Sequence, residues 1–246
     1  MEDVIYGRNP ILEAVNAGHE INKLLVLEGS KDKNLQKVIN AARDKKILIQ
    51  FVERKLMDKI SEGENHQGVI AYVSPYHYYE LEELIQLAKD KNEEPLLIIC
   101  DEITDPHNLG SIIRTANAVG AHGVIIPKRR SAAINQTVVK TSCGAVEYVP
   151  VARVTNITQT IKQLQNLGVW VVGTDMDAPL YYEANLTGNI AIVIGNEGEG
   201  ISRLVKESCD LMVSLPMMGQ VSSLNAAVAG SIVMYEAIRQ RQIKKK

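Results

Sequence analysis

The 246-residue sequence is poor in the residue types that mark several protein classes. Its three cysteines, Cys100, Cys143 and Cys209, form no C-x-x-C pair, so they indicate neither a disulfide framework nor a zinc site. We expect them to pack as small apolar side chains in a reducing compartment. The longest apolar runs, at 96–100 and 190–194, are far shorter than the roughly 20 residues of a membrane-spanning helix. Aromatic residues make up only 4% of the chain, which disfavours extensive base stacking on its surface.

The sequence also lacks an excess of either charge, because 27 basic residues oppose 29 acidic ones and give a formal charge of -2. This balance is not that of a strongly cationic nucleic-acid binder. The first ten residues, MEDVIYGRNP, contain no basic segment followed by an apolar stretch. We therefore expect no secretory signal and a cytoplasmic location.

The charge is distributed unevenly along the chain. Basic and acidic residues number 11 and 11 in residues 1–75, 2 and 6 in residues 76–94, and 14 and 12 in residues 95–246. The middle stretch is acidic and helix-prone and ends at Pro95, so we interpret residues 75–94 as a linker with a helical turn or two. This interpretation predicts a first domain over residues 1–74 and a second over residues 95–246.

Both domains alternate strands with helices. In the first, strands are predicted at 24–27, 47–52 and 68–73; in the second, at 96–100, 123–127, 147–151, 169–173, 190–195 and 211–215. The first helix is predicted to begin near Pro10 and end at Gly18, and the last to run from 223 to 242. Apolar runs without alternation are typical of strands buried on both faces, so we expect an α/β fold with a parallel sheet. Ligands of such sheets bind where the strands end.

The first candidate loop follows the strand at 96–100 and reads DEITDPHNLGSIIRTANAVG. Asn108 stands where a helix cap is expected, and Arg114 is the only Asp, Glu, Lys or Arg between Asp105 and Lys128. An isolated cation in an apolar helix suits a partly enclosed anion site, since a guanidinium can hold a phosphate through two hydrogen bonds. The alternative is a simple helix cap followed by a solvated arginine.

The second candidate loop, IAIVIGNEGEGIS over residues 190–202, leads from a strand into a glycine-rich turn. The dinucleotide-binding pattern G-x-G-x-x-G would need a glycine at Glu197, and no Walker A sequence occurs. Glu197 and Glu199 would repel a pyrophosphate, so the loop favours an uncharged or cationic ligand. The alternative is a structural turn.

The third candidate loop covers residues 211–230 and leads into the last helix. Ser222 or Ser223 is a candidate helix cap. The small residues from Ala226 to Gly230 permit close approach of another backbone, a ligand or a second subunit. Serine-hydrolase chemistry is disfavoured, because the G-x-S-x-G elbow is absent and no histidine and aspartate stand at a recognisable spacing.

Together, the segments DPHNLGSIIRTANAVGA, IVIGNEGEGIS and LPMMGQVSSLNAAVAGSI resemble the three motifs of the SpoU/TrmH family, ribose 2′-O-methyltransferases of the SPOUT superfamily. Three long motifs in the expected order make this resemblance specific, and it covers residues 95–246. Residues 4–73, with IYGRNPILEAV and NHQGVIAYV, resemble the small substrate-binding domain of the bacterial 23S rRNA guanosine-2′-O-methyltransferase subgroup.

The resemblance implies an α/β fold with a deep trefoil knot and S-adenosylmethionine as the cofactor. It implies that the cofactor lies against backbone groups around Thr174, Gly195, Leu215 and Leu224. The implied active-site positions are Asn108, Arg114, Glu197, Ser223 and Asn225. It also implies a homodimer in which Arg114 reaches toward the partner's cofactor and the helix over residues 225–236 takes part in the interface.

The implied chemistry is activation of a ribose 2′-hydroxyl, which is a poor nucleophile until its proton is removed. We expect Arg114 to take that proton or to orient it with the substrate phosphate, and Glu197 to order Arg114 or the glycine-rich turn. Asn108, Ser223 and Asn225 are expected to position the ribose or the loops. This chemistry needs neither a metal ion nor a histidine base.

RNA is the implied partner, and the candidate contact residues are Arg8, Asn9, Lys128, Arg129, Arg130 and Lys140. Arg239, Arg241 and the lysines at 244–246 form a basic tail that either contacts RNA or is simply solvated. Methylation of large-subunit rRNA is the leading function. The alternatives are a tRNA ribose methyltransferase and a catalytically silent RNA-binding or ribosome-assembly protein, whereas the misplaced glycines disfavour a nicotinamide dehydrogenase.

Overall fold

A computed structural model of the chain describes residues 3–16, 19–30, 32–73, 76–220 and 223–244. The chain divides into two compact units, Met1–His77 and Tyr78–Lys246. No helix within the described ranges is long and apolar enough to cross a membrane. The expected helix end at Gly18, the candidate cap Ser222 and the last two lysines of the basic tail lie outside the described residues.

The first unit is a four-stranded sheet with three helices. Its elements are β1 (Asp3–Tyr6), α1 (Arg8–Asn16), β2 (Ile21–Leu27), α2 (Lys33–Asp44), β3 (Ile49–Val52), α3 (Arg54–Ser61) and β4 (Val69–Val73). The strand order is β1-β4-β2-β3, with β4 antiparallel to β1 and β2, and with β2 parallel to β3. The strand β1 is not among those predicted from the sequence.

The strand registers bring three strand ends to one edge of this sheet. The pairs at that edge are Tyr6 with Ile70, Val26 with Val69, and Leu27 with Val52. The carboxyl ends of β1, β2 and β3 therefore lie beside the start of β4. Since α1, α2 and α3 each follow one of these strands, the three helices begin at the same edge.

The second unit is a six-stranded parallel sheet with helices on its faces. Its elements are α4 (Leu81–Asp90), β5 (Leu96–Cys100), α5 (Pro106–Ala118), β6 (Gly123–Pro127), α6 (Gln136–Thr141), a 3-10 turn (Ala145–Glu147), β7 (Val151–Val154), α7 (Ile157–Asn166), β8 (Trp170–Thr174), β9 (Ile190–Ile194), α8 (Arg203–Ser208), β10 (Leu211–Val213) and α9 (Ala226–Lys244). The strand order is β10-β8-β9-β5-β6-β7. The parallel α/β sheet expected from the sequence is confirmed.

The central strands of the second sheet are buried on both faces. Every residue of β5, β6 and β9 is buried, which is why these strands show no polar alternation. The chain extends the sheet from β5 through β6 to β7 on one side, while β9, β8 and β10 lie on the other. Such a reversal of strand order opens a crevice at the carboxyl ends of the strands.

One predicted strand is displaced along the chain. The sequence predicts a strand at 147–151, whereas the structure has the 3-10 turn at Ala145–Glu147 and begins β7 at Val151. Tyr148, which the prediction places in the strand, is 78% exposed. Pro150 explains the displacement, because proline has no N–H to donate to a strand ladder.

The acidic segment that we interpret as a linker contains a full helix of the second unit. The apolar side chains of α4, among them Leu81, Leu84 and Ile85, pack into the core of that unit. Its acidic residues lie on the opposite, exposed face, as Glu82 and Glu83 show. The residue composition of the segment averages the two faces of the helix. It therefore does not reveal the apolar face that packs into the core.

The small residues of α9 pack within their own unit. Ala226 is buried, and a Cβ on Gly230 would collide with the side chain of Ile194 in β9. Glycine thus allows α9 to lie directly on the sheet. The interface role expected for the helix over residues 225–236 stays a prediction. The large exposed apolar residues of α9 are Val228, Tyr235 and Ile243.

The three cysteines differ in exposure. Cys100 is buried in β5 and Cys209 is half-buried, and desolvation raises the pKa of each thiol to about 12. Cys143 is exposed, in a turn where its φ is 52°. The expectation of a buried cysteine is therefore wrong for Cys143.

Candidate active site

A cavity of about 280 Å³ opens where β8, β9 and β10 end. Its walls are the loops that follow these strands and the beginning of α9. All four residues that the sequence assigns to the cofactor line it, namely Thr174, Gly195, Leu215 and Leu224, as do the predicted active-site residues Glu197 and Ser223. Three segments distant in sequence thus form one site at the edge of the sheet where ligands are expected.

Gly195 makes the closed form of the glycine-rich loop possible. The backbones of Asn196 and Gly200 exchange two hydrogen bonds of 2.9 Å, which folds the loop back on itself. A Cβ on Gly195 would collide with the backbone of Gly200 and Ile201. The side chain of Asn196 holds the loop further, since its Oδ1 accepts from the N–H of Gly198 at 2.8 Å.

Three of the predicted active-site residues meet in a hydrogen-bonded group, here named the Asn–Glu–Asn cluster (Asn108, Glu197 and Asn225). The Nδ2 of Asn225 donates to Oδ1 of Asn108 at 2.9 Å and to Oε1 of Glu197 at 2.8 Å. The Nδ2 of Asn108 donates to the same Glu197 oxygen. The cluster joins α5, the glycine-rich loop and the start of α9. It also satisfies the side chain of Asn108, which is buried.

Asn225 has a second function as the cap of α9. Its Oδ1 accepts hydrogen bonds from the N–H groups of Ala227 at 3.0 Å and Val228 at 3.2 Å. A cap at Ser223 is therefore wrong. Ser223 is exposed instead and contributes to the cavity wall.

The cap of α5 also differs from the expected residue. Asp105 accepts a hydrogen bond from the N–H of His107 at 2.9 Å, and Pro106 occupies the first turn. Asn108, the expected cap, lies inside the helix, where its side chain is free to join the cluster. The sequence places the cap three residues late because Asn and Asp are both good cap residues.

Arg114 is exposed on α5 and makes no hydrogen bond or ion pair with any residue that the structure describes. The expected enclosure around this cation is therefore absent in the single chain. Glu197 contacts Asn108 and Asn225 and not Arg114, so the expected ordering of Arg114 by Glu197 is not observed. Arg114 also does not line the cavity of its own chain.

The rim of the cavity carries negative charge. Asp175, Glu197 and Glu199 line it, and no lysine or arginine does so within the described parts of the chain. Asp175 forms an ion pair with Lys206, and the hydrogen bonds that its carboxylate accepts from Lys206 and from the N–H of Asp177 hold its pKa below the ordinary value. A negative rim attracts cations and repels pyrophosphate, in agreement with the interpretation of the glycine-rich loop.

The sequence analysis missed Asp175. The signal that could have found it is its position, since it follows Thr174 directly at the carboxyl end of β8. It also missed Glu102, whose main-chain carbonyl accepts a hydrogen bond from Nδ2 of Asn196 at 3.0 Å. The loop after β5 is thereby fixed to the glycine-rich loop.

The basic residues predicted to contact RNA in the second unit are Lys128, Arg129 and Arg130 after β6 and Lys140 on α6. Lys128 is half-buried, and the other three are exposed. Arg130 forms an ion pair of 3.1 Å with Glu102. Because Glu102 also contacts the glycine-rich loop, the basic segment is linked to the candidate site.

The two RNA candidates of the first unit are at the start of α1. Arg8 donates from Nε to the carbonyl of Gln67 at 2.9 Å, and its Nη1 pairs with Asp32 at 2.9 Å. Asn9 is exposed. Arg8 is therefore held in one orientation, whereas Asn9 faces solvent.

Not all residues of the basic tail extend into solvent. Arg241 donates to the main-chain carbonyls of Glu94, Pro95 and Gly188 at 2.6–2.9 Å. Arg239 forms two hydrogen bonds with the buried Glu236. The solvated interpretation is wrong for Arg241, which attaches the end of α9 to the main chain around it.

The histidines do not form a metal site or a catalytic pair in the described residues, where no group of three or more His, Cys, Asp or Glu side chains could hold a metal ion. His66 contacts Asp58 and accepts from the N–H of Gly68. His107 contacts Thr141 at 3.3 Å.

Both units match known families. Residues 95–235 match the SpoU rRNA Methylase family, and residues 4–79 match the family described as RNA 2′-O ribose methyltransferase substrate binding. A Bacillus subtilis (strain 168) relative, named as a TrmH family tRNA/rRNA methyltransferase, is 48% identical over 241 residues, which cover 97% of this chain and 96% of the relative. A Staphylococcus aureus (strain MSSA476) relative of the same description is 47% identical and covers 98% of each chain.

Solved structures show the same relationship. The SpoU methyltransferase AviRb from Streptomyces viridochromogenes, in complex with AdoMet, has a TM-score of 0.62 and 28% identity and covers 98% of this chain and 90% of its own. An AdoMet-bound rRNA methyltransferase from Sinorhizobium meliloti has a TM-score of 0.59 and 25% identity, with 96% and 86% covered. The A. aeolicus TrmH/SpoU tRNA modifying enzyme has a TM-score of 0.58 and 30% identity, with 67% and 85% covered. The chain therefore belongs to the SpoU/TrmH family of S-adenosylmethionine-dependent RNA methyltransferases.

Proposed function

We propose that this chain methylates the 2′-hydroxyl of a guanosine ribose in 23S rRNA, with S-adenosylmethionine as the methyl donor. One observation carries the proposal. Glu197 lines the cavity and also belongs to the Asn–Glu–Asn cluster, so a ligand site and a group of polar side chains share one wall.

The cavity fits the cofactor in size and in chemistry. Its volume of about 280 Å³ is close to the lower end of the roughly 300–1,000 Å³ of small-molecule sites. Leu215, Leu224 and Ala229 offer apolar contacts to a flat adenine, and the carboxylate rim suits a sulfonium cation. When bound, S-adenosylmethionine supplies an electrophilic methyl group, so the protein has only to position and deprotonate the hydroxyl.

The proposed roles follow from where each side chain lies. Arg114 holds the phosphate beside the reacting ribose and assists loss of the hydroxyl proton, because it is an exposed cation with free donors. Asn108 and Asn225 fix Glu197, and the cluster thereby keeps the glycine-rich loop in place. Ser223, exposed on the cavity wall, contacts the ribose or the cofactor.

We also propose that the chain acts as a homodimer in which Arg114 serves the partner's cavity. Arg114 does not line the cavity of its own chain. A second copy of the chain would offer it a cavity at which to act. The next residue, Thr115, contacts Ser231 of α9 at 2.9 Å, so Arg114 is adjacent to the contact between α5 and α9. Val228 and Tyr235 expose apolar surface on α9 and are seven residues apart, which puts them on one face of the helix.

The extent of the similarity favours rRNA over tRNA. The Sinorhizobium meliloti rRNA methyltransferase covers 96% of this chain, whereas the A. aeolicus tRNA modifying enzyme covers 67%. The first unit matches a substrate-binding family over residues 4–79. An rRNA substrate places the enzyme in the cytoplasm, and the trefoil knot that the resemblance implies stays a prediction.

The test is direct. The protein is incubated with labelled S-adenosylmethionine and with either purified bacterial rRNA or tRNA, and alkali-resistant 2′-O-methyl positions are mapped. Label on a guanosine of 23S rRNA is the expected result. Label in tRNA alone would overturn the rRNA assignment, and no label in any RNA would favour a silent RNA-binding protein.

A further inference from the structure

The first unit contains a cavity of its own, of about 210 Å³, at the edge where β1, β2 and β3 end. Its lining is mainly polar and includes Arg8, Arg54, Asn65, His66 and Gln67. We propose that this cavity binds one unpaired nucleotide of the substrate RNA, with the phosphate on the two arginines and the base against the side-chain amides. The proposal rests on the proposed function only in taking RNA as the substrate.

The fold concentrates positive potential at this cavity. α1, α2 and α3 all begin at the same sheet edge, and a helix start carries the positive end of the helix dipole. The start of α2 is capped by Asp32, but the residue before α3, Glu53, makes no capping hydrogen bond with its side chain. The N–H groups of Leu56 and Met57 donate to the carbonyl of Glu53, which leaves those of Arg54 and Lys55 to an anion.

Arg8 is held in one orientation, and both arginines still have donors to offer. Arg8 uses Nε for the carbonyl of Gln67 and Nη1 for Asp32, and Arg54 lies 3.9 Å from Asp58 through its Nε. A guanidinium has five N–H donors, so each arginine keeps several for a phosphate. Asp32 and Asp58 reduce the net charge, and Asp32 also holds the guanidinium of Arg8 in place.

Asp58 also fixes the wall between the two arginines. Its Oδ1 contacts Nε2 of His66 at 2.9 Å, while Nδ1 of His66 accepts from the N–H of Gly68 at 3.0 Å. Both ring nitrogens of this buried histidine are thus engaged. His66 forms a rigid wall and offers the ligand no free nitrogen.

Asn65 and Gln67 supply groups that can recognise a base. Asn65 is exposed and makes no hydrogen bond through its side chain within the described residues, and the Nε2 of Gln67 is also uncommitted there. Amides can donate to and accept from the edge of a base. Sequence-specific RNA binding uses unpaired bases in this way, and a cavity of this size has no room for a duplex.

The test compares three variants of the full chain. Arg54→Gln removes the exposed guanidinium, and Asn65→Ala removes the free amide. Lys55→Gln is the matched control, since Lys55 is the next residue of α3, is exposed and does not line the cavity. Binding is measured by fluorescence anisotropy with decamers of A, C, G and U and with a duplex of equal length, over a range of salt concentrations.

We expect Arg54→Gln to weaken binding of every single-stranded decamer by about five- to tenfold and to reduce the salt slope by about 1. Lys55→Gln is expected to stay within about twofold of the unmodified chain, and duplex binding is expected to be insensitive to Arg54→Gln. Asn65→Ala should reduce the preference among the four decamers with its salt slope unchanged. Equal effects of Arg54→Gln and Lys55→Gln, or an unchanged base preference in Asn65→Ala, would overturn the proposal.

A second readout separates this proposal from the proposed function. In methyl transfer to rRNA, Arg54→Gln should raise KM for RNA and leave kcat unchanged, because the cavity contributes binding alone. If the unmodified chain transfers no methyl group while the decamer results hold, the proposed function fails and the nucleotide site stands. If the chain methylates rRNA and Arg54→Gln behaves like its control, only the nucleotide site fails.

Discussion

The side-chain amide of Asn225 donates a hydrogen bond to Oδ1 of Asn108 at 2.9 Å, although 117 positions separate the two residues. The same amide nitrogen reaches Glu197 at 2.8 Å, and the oxygen of that amide caps α9. One side chain thus determines both where the last helix begins and where the glycine-rich loop lies. Stability and catalysis should therefore respond differently to substitutions at Asn225.

Replacement of Asn225 by Asp separates these two functions. The variant keeps an oxygen to cap α9, but it removes the amide donor and puts a second carboxylate beside Glu197. We expect the free energy of unfolding to change by less than about 1 kcal/mol, as for a retained cap. We expect kcat to fall about a hundredfold, because small displacements of a catalytic loop are costly.

Asn225→Ala is the companion variant, since it loses both the cap and the amide. It should lose about 1 kcal/mol of stability in addition to the activity. Urea unfolding and methyl transfer to rRNA measure the two effects. An Asn225→Asp enzyme with nearly normal kcat would show that the cluster has no catalytic importance.

Gly195→Ala tests the close approach inside the glycine-rich loop. The added methyl group would collide with the backbone of Gly200 and Ile201, so the loop must open. Overpacking of this kind costs typically about 1–3 kcal/mol, and the displaced loop should bind S-adenosylmethionine at least about tenfold more weakly. Calorimetric titration of the cofactor measures this loss.

The control lies in the same loop. A Cβ on Gly198 would meet only Oδ1 of Asn196 at 3.5 Å, an ordinary contact distance. Gly198→Ala should therefore bind the cofactor within about threefold of the unmodified chain. Equal losses in both variants would mean that the loop is sensitive to any substitution.

The sequence predicts the parts of this site that depend on local pattern. Apolar runs identify β5, β6 and β9, and the resemblance of three segments indicates which loops meet. The cap of α9 illustrates the limit, because Ser222, Ser223 and Asn225 are all good cap residues locally. Only the tertiary contact of Asn225 with Asn108 and Glu197 decides among them.

Arg114 provides the test of the homodimer. Arg114→Ala should lower kcat by about 10²- to 10⁴-fold, the usual contribution of a proton-transfer group, and leave the affinity for S-adenosylmethionine unchanged. Chains with Arg114→Ala are then mixed with chains carrying Gly195→Ala, at a concentration of S-adenosylmethionine too low to fill the weakened site of the second variant. If Arg114 serves the partner, one site of each mixed dimer is complete, and random mixing restores about a quarter of the normal activity.

A site formed within one chain would give a different result in the mixing experiment. If Arg114 acts within its own chain, neither member of a mixed dimer has a complete site, and activity stays at the level of the separate variants. Refolding the mixture from denaturant ensures exchange of subunits. A mixture of two preparations of unmodified chain, treated identically, gives the reference value.

Long-range contacts of charged residues also could not be predicted from the sequence. Arg241 reads as part of a basic tail, because lysines and arginines follow one another to the end of the chain. In the structure its guanidinium is directed at the carbonyls of Glu94, Pro95 and Gly188. No local pattern distinguishes such an arginine from a solvated one.

Arg241→Gln therefore tests a structural role against an RNA-binding role. It removes the guanidinium donors from the carbonyls of Glu94, Pro95 and Gly188, of which Glu94 is exposed and Pro95 keeps the N–H of Ile190. Loss of these hydrogen bonds should cost about 1–3 kcal/mol in total. We expect lower stability, an unchanged salt dependence of RNA binding, and intact affinity for RNA at temperatures where the variant is folded. A loss of RNA affinity without a loss of stability would restore the tail interpretation.

His122 should give the second unit a dependence of stability on pH. Its side chain is only 1% exposed, accepts from the N–H of Leu96 at 3.1 Å and contacts Glu93 at 3.1 Å. Burial lowers its pKa below the ordinary 6.5, although the carboxylate of Glu93 opposes that shift. Below pH 6.5 the unfolded chain therefore binds more protons than the folded one, and stability falls as the pH decreases.

His122→Asn removes this dependence while an amide oxygen can still accept from Leu96. One titrating group contributes at most about 1.4 kcal/mol per pH unit, so the slope of the unfolding free energy between about pH 6.5 and 5 should decrease by up to that amount. Fluorescence of Trp170, the only tryptophan of the chain and part of β8, follows unfolding of this unit. The exposed His107, replaced by Asn, is the substitution control. If His122→Asn retains the full slope, other groups cause the acid sensitivity.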